Sequence, residues 1–208
     1  MATVLSPPEE RVLLRDVSWE TYERLLGEQG DRRTPRFTYD LGMLEIMSPS
    51  AEHEEADHII TQIVCVVAEE MNLDIRGFGS TTFKRADLGR GFEPDSCFYI
   101  QNVERIGAAS ELDLTVHPPP DLVIEIDITS PSLNKFPLYA SVGVPEIWVY
   151  DGKRASIYLL EAGNYVKAET SMALPRLTAV VLTNSVAEAL NSKRSDWLRS
   201  LRAWARQR

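Results

Sequence analysis

Apolar residues change their spacing several times along this chain, and each change marks a different element. Trp19, Tyr22, Leu25 and Leu26 recur at helical spacing, and Ser18 stands where a hydroxyl can cap the first turn. A helix is predicted from Trp19 to about Glu28, with Gly27 and Gly30 marking its end. In RFTYDLGMLEIMSPS the period shortens to that of a strand: Phe37 and Tyr39, then Met43, flank Asp40-Leu41-Gly42, the pattern of a hairpin with a short turn. The helical period returns from Ala51 to Asn72, where Ile59, Ile60, Ile63, Val64, Val67 and Met71 share one face of a long amphipathic helix. Its first third, AEHEEADHI, is polar and sets His53 and Asp57 one turn apart on the same side.

STTFKRA and FEPDSCFYIQ are predicted as strands separated by the DLGRG turn, with Asp95 inside the second. From Asn102 to Pro120 no period holds, and a surface loop with one helical turn is expected. PPDLVIEIDITS then alternates strictly: Leu122, Ile124, Ile126 and Ile128 point one way, Asp121, Val123, Glu125 and Asp127 the other. A short helix starting at Ser130-Pro131-Ser132 and running through Lys135 and Tyr139 should end at Gly143. PEIWVYDGKRASIYLLEAGNYVKAE reads as an antiparallel meander with turns at Asp151-Gly152 and Gly163-Asn164. A final amphipathic helix over 185–208 places Trp197, Leu201 and Trp204 on one stripe. The expected organisation is a single domain over 1–208, with a helical arm over 1–34.

Composition narrows the function. With 208 residues and 44% hydrophobic content the chain can bury a substantial core, while a net charge of −9 argues against nucleic-acid binding over the whole surface. Any nucleic-acid role must be local. The basic run from Lys193 onward opposes the overall charge, but its Trp and Leu stripe is read first as a face that packs on the body or on a second subunit, and is kept as a dimer candidate. The N-terminus lacks a signal-peptide pattern, and the longest apolar stretch, Ile59 to Ala68, is too short to cross a bilayer. Cys65 and Cys97 lack metal-ligand spacing and read as small buried hydrophobes. A cytoplasmic location with no membrane association is expected.

The strand from Leu122 carries like charges on one face, which calls for a counter-charge. Neighbouring strands lie ~4.8 Å apart, so Asp95 and Glu125 converge if their strands pair in register. One divalent ion would relieve their repulsion, and Mg²⁺ (or Mn²⁺) takes such hard oxygen ligands. Asp127 and Asp121 have the alternative of facing water at the strand ends, and Lys135 alone would read as a surface lysine. No Ser-His-Asp order, Gly-rich phosphate loop or HExxH spacing offers a competing chemistry.

The elements SPSAEHEEA, EPDSCFYI, PPDLVIEIDITSPSLNK and LYASVGVPEIWVYDG resemble those of the Uma-two family of the PD-(D/E)XK restriction-endonuclease-like superfamily, over roughly Tyr39 to Leu182. The resemblance implies an α/β (α+β) restriction-endonuclease-like core, with a central mixed β-sheet flanked by helices. It also implies a Mg²⁺-dependent phosphodiesterase site and usually a homodimer; it identifies no substrate, and the leading expectation is an endonuclease acting on DNA. On that pattern Asp95 matches the metal-binding aspartate and Glu125 the acid of the (D/E)XK element. Ile126-Asp127 fills the X-K position, so the strand lacks its lysine; Lys135 on the following helix matches a lysine typical of the family there. Asp127 would add a metal ligand or orient one. His53 matches the family's SP…H element, as a second metal ligand, a proton carrier or a group that orients a ligand, and Tyr139 could line the same edge. The alternative is a catalytically inactive dimeric nuclease-like module that binds nucleic acid or protein.

Overall fold

A computed structural model describes residues 9–30, 32, 34–109, 111–128 and 133–207. The first element among the described residues is a strand, β1 (Glu10–Leu14), rather than a helix: Val12, Leu13 and Leu14 are consecutive apolar residues with no helical period, and Val12 and Leu14 are exposed at a sheet edge. The described part of the expected helical arm over 1–34 thus contains a strand as well as a helix. Helix α1 (Trp19–Gln29) follows, capped by the Ser18 hydroxyl accepting from the Thr21 N–H, and closed at Gly30. The hairpin β2 (Arg36–Asp40) and β3 (Met43–Ser48) turns at Leu41-Gly42 as expected.

Helix α2 (Ala51–Glu70) has Ser50 as its cap and buries Ile59, Ile60, Ile63, Val64 and Val67 on one face. Cys65, expected inside, lies on its exposed face, whereas Cys97 is buried. Beyond it come β4 (Arg76–Gly77), β5 (Phe83–Arg85), a 3-10 turn at Ala86–Leu88, β6 (Arg90–Phe92) and β7 (Ser96–Tyr99). The run FEPDSCFYIQ is therefore not one strand. Its chain crosses from one sheet to the other at Glu93-Pro94-Asp95, and Asp95 sits in the crossing; Pro94, having no N–H, cannot continue a ladder.

A helical turn, α3 (Val103–Ile106), interrupts the following loop, and then come β8 (Leu122–Ile126), α4 (Phe136–Val142), β9 (Glu146–Tyr150), β10 (Ala155–Glu161) and β11 (Asn164–Ala168). The expected start of α4 at Ser130–Ser132 lies outside the described residues. Within them Pro137 occupies the first turn, where its missing N–H costs nothing, and Gly143 closes the helix at φ +79. The C-terminal helix is two helices, α5 (Ala179–Asn191) and α6 (Arg194–Arg206), broken at Ser192-Lys193.

Two sheets result. The first is antiparallel, ordered β1-β3-β2-β6-β5, and the second is mixed, ordered β11-β10-β9-β8-β7-β4, with β8 and β9 parallel across α4 and β10–β11 as the meander. Leu122, Ile124 and Ile126 of β8 bury against α2, α5 and α6, while Val123 enters a second core with Leu138 and Tyr139 of α4. A third cluster stacks Tyr22 on Tyr39 under α1, and Tyr22 lies so close over Gly91 that a Cβ there would collide with its ring. Trp197, Leu201 and Ala205 of α6 are buried in the same core as α2, so the stripe kept as a dimer candidate is spent within the chain. Among the described residues no helix is long and apolar enough to cross a membrane.

Candidate active site

Both sheets meet at the Glu93-Pro94-Asp95 crossing, and the carboxylates singled out in the sequence lie at this junction. Glu93 ties the crossing to the first sheet, accepting from the Phe37 N–H at 2.7 Å and the Thr82 hydroxyl at 2.5 Å. The antiparallel register of β7 on β8 pairs Ser96 with Ile124 and Cys97 with Val123; one step further sets Asp95 opposite Glu125. Residues so opposed project to the same side of a sheet. Asp95 itself lies just outside the strand, near enough to Glu125 for its charge to raise that carboxyl.

Each carboxylate is wrapped by donors. One Asp95 oxygen accepts from the Arg36 guanidinium and lies 2.8 Å from His53 Nε2, and the other accepts from the Ile126 N–H at 2.6 Å. Glu125 accepts from Lys135 Nζ at 2.6 Å and from the Tyr139 hydroxyl. A lysine is absent from the strand, but one from the start of α4 reaches the same carboxylate, its side chain only 12% exposed. Tyr139, one turn on, closes the opposite flank of the same carboxylate.

His53 is held from both sides, its Nδ1 lying 2.8 Å from Glu9 and its Nε2 on Asp95. Arg36 also reaches Glu54 at 2.7 Å. Arg11 of β1 contacts Glu9 at 2.5 Å and approaches Glu45 at 3.8 Å and Asp127 at 3.7 Å. Glu9, Arg11, Arg36 and Glu45 were not recognised in the sequence. Only the docking of the first sheet onto the second brings them here, and no local spacing announces it.

These contacts set the protonation states. Burial alone would raise the Asp95 pKa, but the bond to His53 and the charges of His53, Arg36 and Lys135 hold it at about 2. Glu125 is raised, first by burial and also by Asp95, against the pull of Lys135 and Tyr139. Burial would lower Lys135, yet the charges of Glu125, Asp95 and Glu45 carry it above its ordinary value. His53 behaves alike: burial opposes its charge, and its bonds to Asp95 and Glu9 outweigh that. Tyr139 is pushed far up by burial and by Glu125, so it remains a phenol that donates. Asp57, one turn after His53, accepts from the Ser96 hydroxyl at 3.0 Å and is raised to about 6 by burial and then by Asp95.

The donor set can be tested against a divalent cation. Asp95, Glu125 and Asp127 supply hard oxygens, and Asp127 Oδ1 is buried with no hydrogen-bond partner. That acceptor, which has only the Arg11 guanidinium 3.7 Å away, and the nearby carboxylates of Asp95 and Glu125 are hard oxygens of the kind a small hard ion takes. Among the described residues, however, no three His, Cys, Asp or Glu side chains are already arranged as a ligand set, and Arg36 and Lys135 pair with Asp95 and Glu125.

Comparison with known proteins bears on the fold and the family. A solved structure from Anabaena variabilis ATCC 29413, described as "a putative nuclease belonging to DUF820", superposes with a TM-score of 0.50 at 16% identity, over 82% of this chain and 92% of that one. At that identity the likeness is one of fold. No curated protein matches the chain significantly. A family model described as "Uma2: Putative restriction endonuclease" matches residues 19–191, which hold every site residue named above except Glu9 and Arg11, and the chain therefore belongs to the Uma2 family.

Proposed function

We propose that this protein is a Mg²⁺- or Mn²⁺-dependent endonuclease that hydrolyses phosphodiester bonds in DNA. The observation that carries this reading is the Asp95–Glu125 pair on one side of β7 and β8 with Lys135 Nζ 2.6 Å from Glu125. Family membership supports a nuclease, and the net acidity of the chain requires that nucleic acid be engaged at a local site.

In this reading Asp95 and Glu125 hold the cation, with Asp127 at their edge. When bound, it would supply charge neutralisation at the phosphate and acidify a water. The remaining work falls to the chain. Lys135, kept charged by its acidic neighbours, orients the attacking water or a phosphate oxygen, and Tyr139 fixes the Glu125 rotamer by donating to it. His53 and Arg36 fix Asp95, which stays ionised through the neutral pH range. A water oxygen bonds to phosphorus and gives up a proton to solvent, the bond from phosphorus to the 3′-oxygen breaks, and the departing oxygen takes a proton from solvent.

The second reading, an inactive nuclease-like module, is favoured by the protein cations that already occupy Asp95 and Glu125. Plasmid and single-stranded DNA incubated with Mg²⁺ or Mn²⁺, with and without EDTA, separate the two. The nuclease cleaves only with metal, and Glu125→Ala lowers the rate at least ~100-fold. Metal also raises the unfolding midpoint of wild type and not of Glu125→Ala. Equal midpoints with and without metal, and no metal-dependent cleavage, would leave the inactive module.

A further inference from the structure

Next to Glu125 and Lys135 lies a cavity of about 440 Å³. Among its lining residues are Arg11, Phe136, Val149 and Tyr158. Phe136 opens α4 directly after Lys135, and its ring meets that of Tyr158 on β10 edge-on, with centroids 4.8 Å apart. Both rings are partly exposed. The cavity falls within the ~300–1,000 Å³ that encloses one small ligand. Asp95 does not line it and is 1% exposed, so among the described residues the approach to the carboxylate pair runs through Glu125 and this space.

Those dimensions bear on what a phosphodiester must do to reach Lys135. A paired nucleotide is flanked by its partner strand and its stacked neighbours, whereas an unpaired one can enter alone and rest its base on an aromatic face. The cavity offers that combination: cations at Lys135 and Arg11 for phosphate, and the Phe136–Tyr158 pair for a base of any identity. We propose that this cavity seats one unpaired nucleoside next to the scissile phosphate, so that the substrate is single-stranded or locally unpaired DNA. The inference rests on the nuclease reading for its substrate and on the cavity for its selectivity.

Two measurements test it. Wild type with Mg²⁺ should cleave a single-stranded or forked oligonucleotide at least about tenfold faster than a blunt duplex of the same sequence. In a Glu125→Gln background, fluorescence anisotropy of a labelled single strand should show Tyr158→Leu weakening binding about tenfold and Tyr158→Phe, which keeps the ring, leaving it unchanged. Cleavage of the duplex at the same rate overturns the inference and leaves the nuclease reading intact, as does Tyr158→Leu binding like its parent. Absence of metal-dependent cleavage together with Tyr158-dependent single-strand binding overturns the nuclease reading and keeps the nucleoside cavity.

Discussion

Opposite charges meet in two regions of this molecule under opposite conditions. Along the seam between α2 and α6, Arg202 reaches Glu69 at 2.8 Å and Arg206 reaches Glu70 at 2.7 Å, with the Arg206 side chain 67% exposed. At the sheet junction Arg36, His53 and Lys135 meet Asp95 and Glu125 almost out of contact with water. The seam is held by Trp197, Leu201 and Ala205 in the core, and its ion pairs sit on top of that packing. At the junction the ion pairs are themselves buried rather than laid over the packing. Burying its charges costs free energy that an apolar cluster of the same volume would not. The seam is thus held by packing, and the junction is where the proposed chemistry would have to account for charges buried at a cost.

Removing one cation from the junction should therefore have the largest effect. Arg36→Met takes away the guanidinium shared by Asp95 and Glu54 and leaves Asp95 with His53 and the Ile126 N–H. A loss of about 3–5 kcal/mol is expected in urea unfolding. A loss no larger than that of an exposed substitution would show that the junction is as replaceable as the seam.

The two regions also differ in how far the sequence disclosed them. The α2 face from Ile59 to Val67, the β2–β3 hairpin and the alternation of β8 follow from local periodicity, because one face of each is buried along its length. So does the Trp197–Leu201 stripe, although periodicity could not say that the chain would break at Ser192-Lys193 and fold the stripe onto itself. At the junction, Asp95 and Glu125 were visible as acids among apolar neighbours, and Lys135 through the family pattern. Arg36 lies 59 residues from Asp95 in the chain, and Glu9 lies 44 from His53. Such pairings depend on how the two sheets dock, which no window of sequence encodes. Pro94 did carry a signal that the strand was interrupted, and it marks the place where the chain changes sheets.

A smaller effect distinguishes neighbours on one helix turn. His53 has a carboxylate on each ring nitrogen, whereas Asp57 has one buried oxygen with no partner and is raised to about 6, above its ordinary 3.8, by burial and by Asp95. A carboxyl raised on folding contributes stability that is complete below its unfolded value and is lost as pH rises through the folded one. Wild type should thus lose stability between pH 3.8 and about 6 relative to Asp57→Asn. Above that window the variant should be more stable by roughly 1 kcal/mol, less than the full shift implies because Asp57 is partly exposed. Parallel pH profiles for the two proteins would show that Asp57 carries no uncompensated charge in the fold.

The least effect is expected at the seam. Arg206→Ala removes both bonds to Glu70, yet the Arg206 side chain is largely in water and the packing beneath it is untouched. Its contribution should be visible as a slight fall in the unfolding midpoint at low salt, and should vanish at 1 M salt, where the screening length shrinks to ~3 Å. The Arg36→Met deficit should persist at the same salt, because ions do not enter a junction whose Asp95 side chain is 1% exposed. Salt dependence thus sorts the two kinds of pair without reference to activity. An Arg206→Ala loss that survived high salt would mean that α6 is held by its charges after all, and that the division between packing seam and chemical junction is drawn in the wrong place.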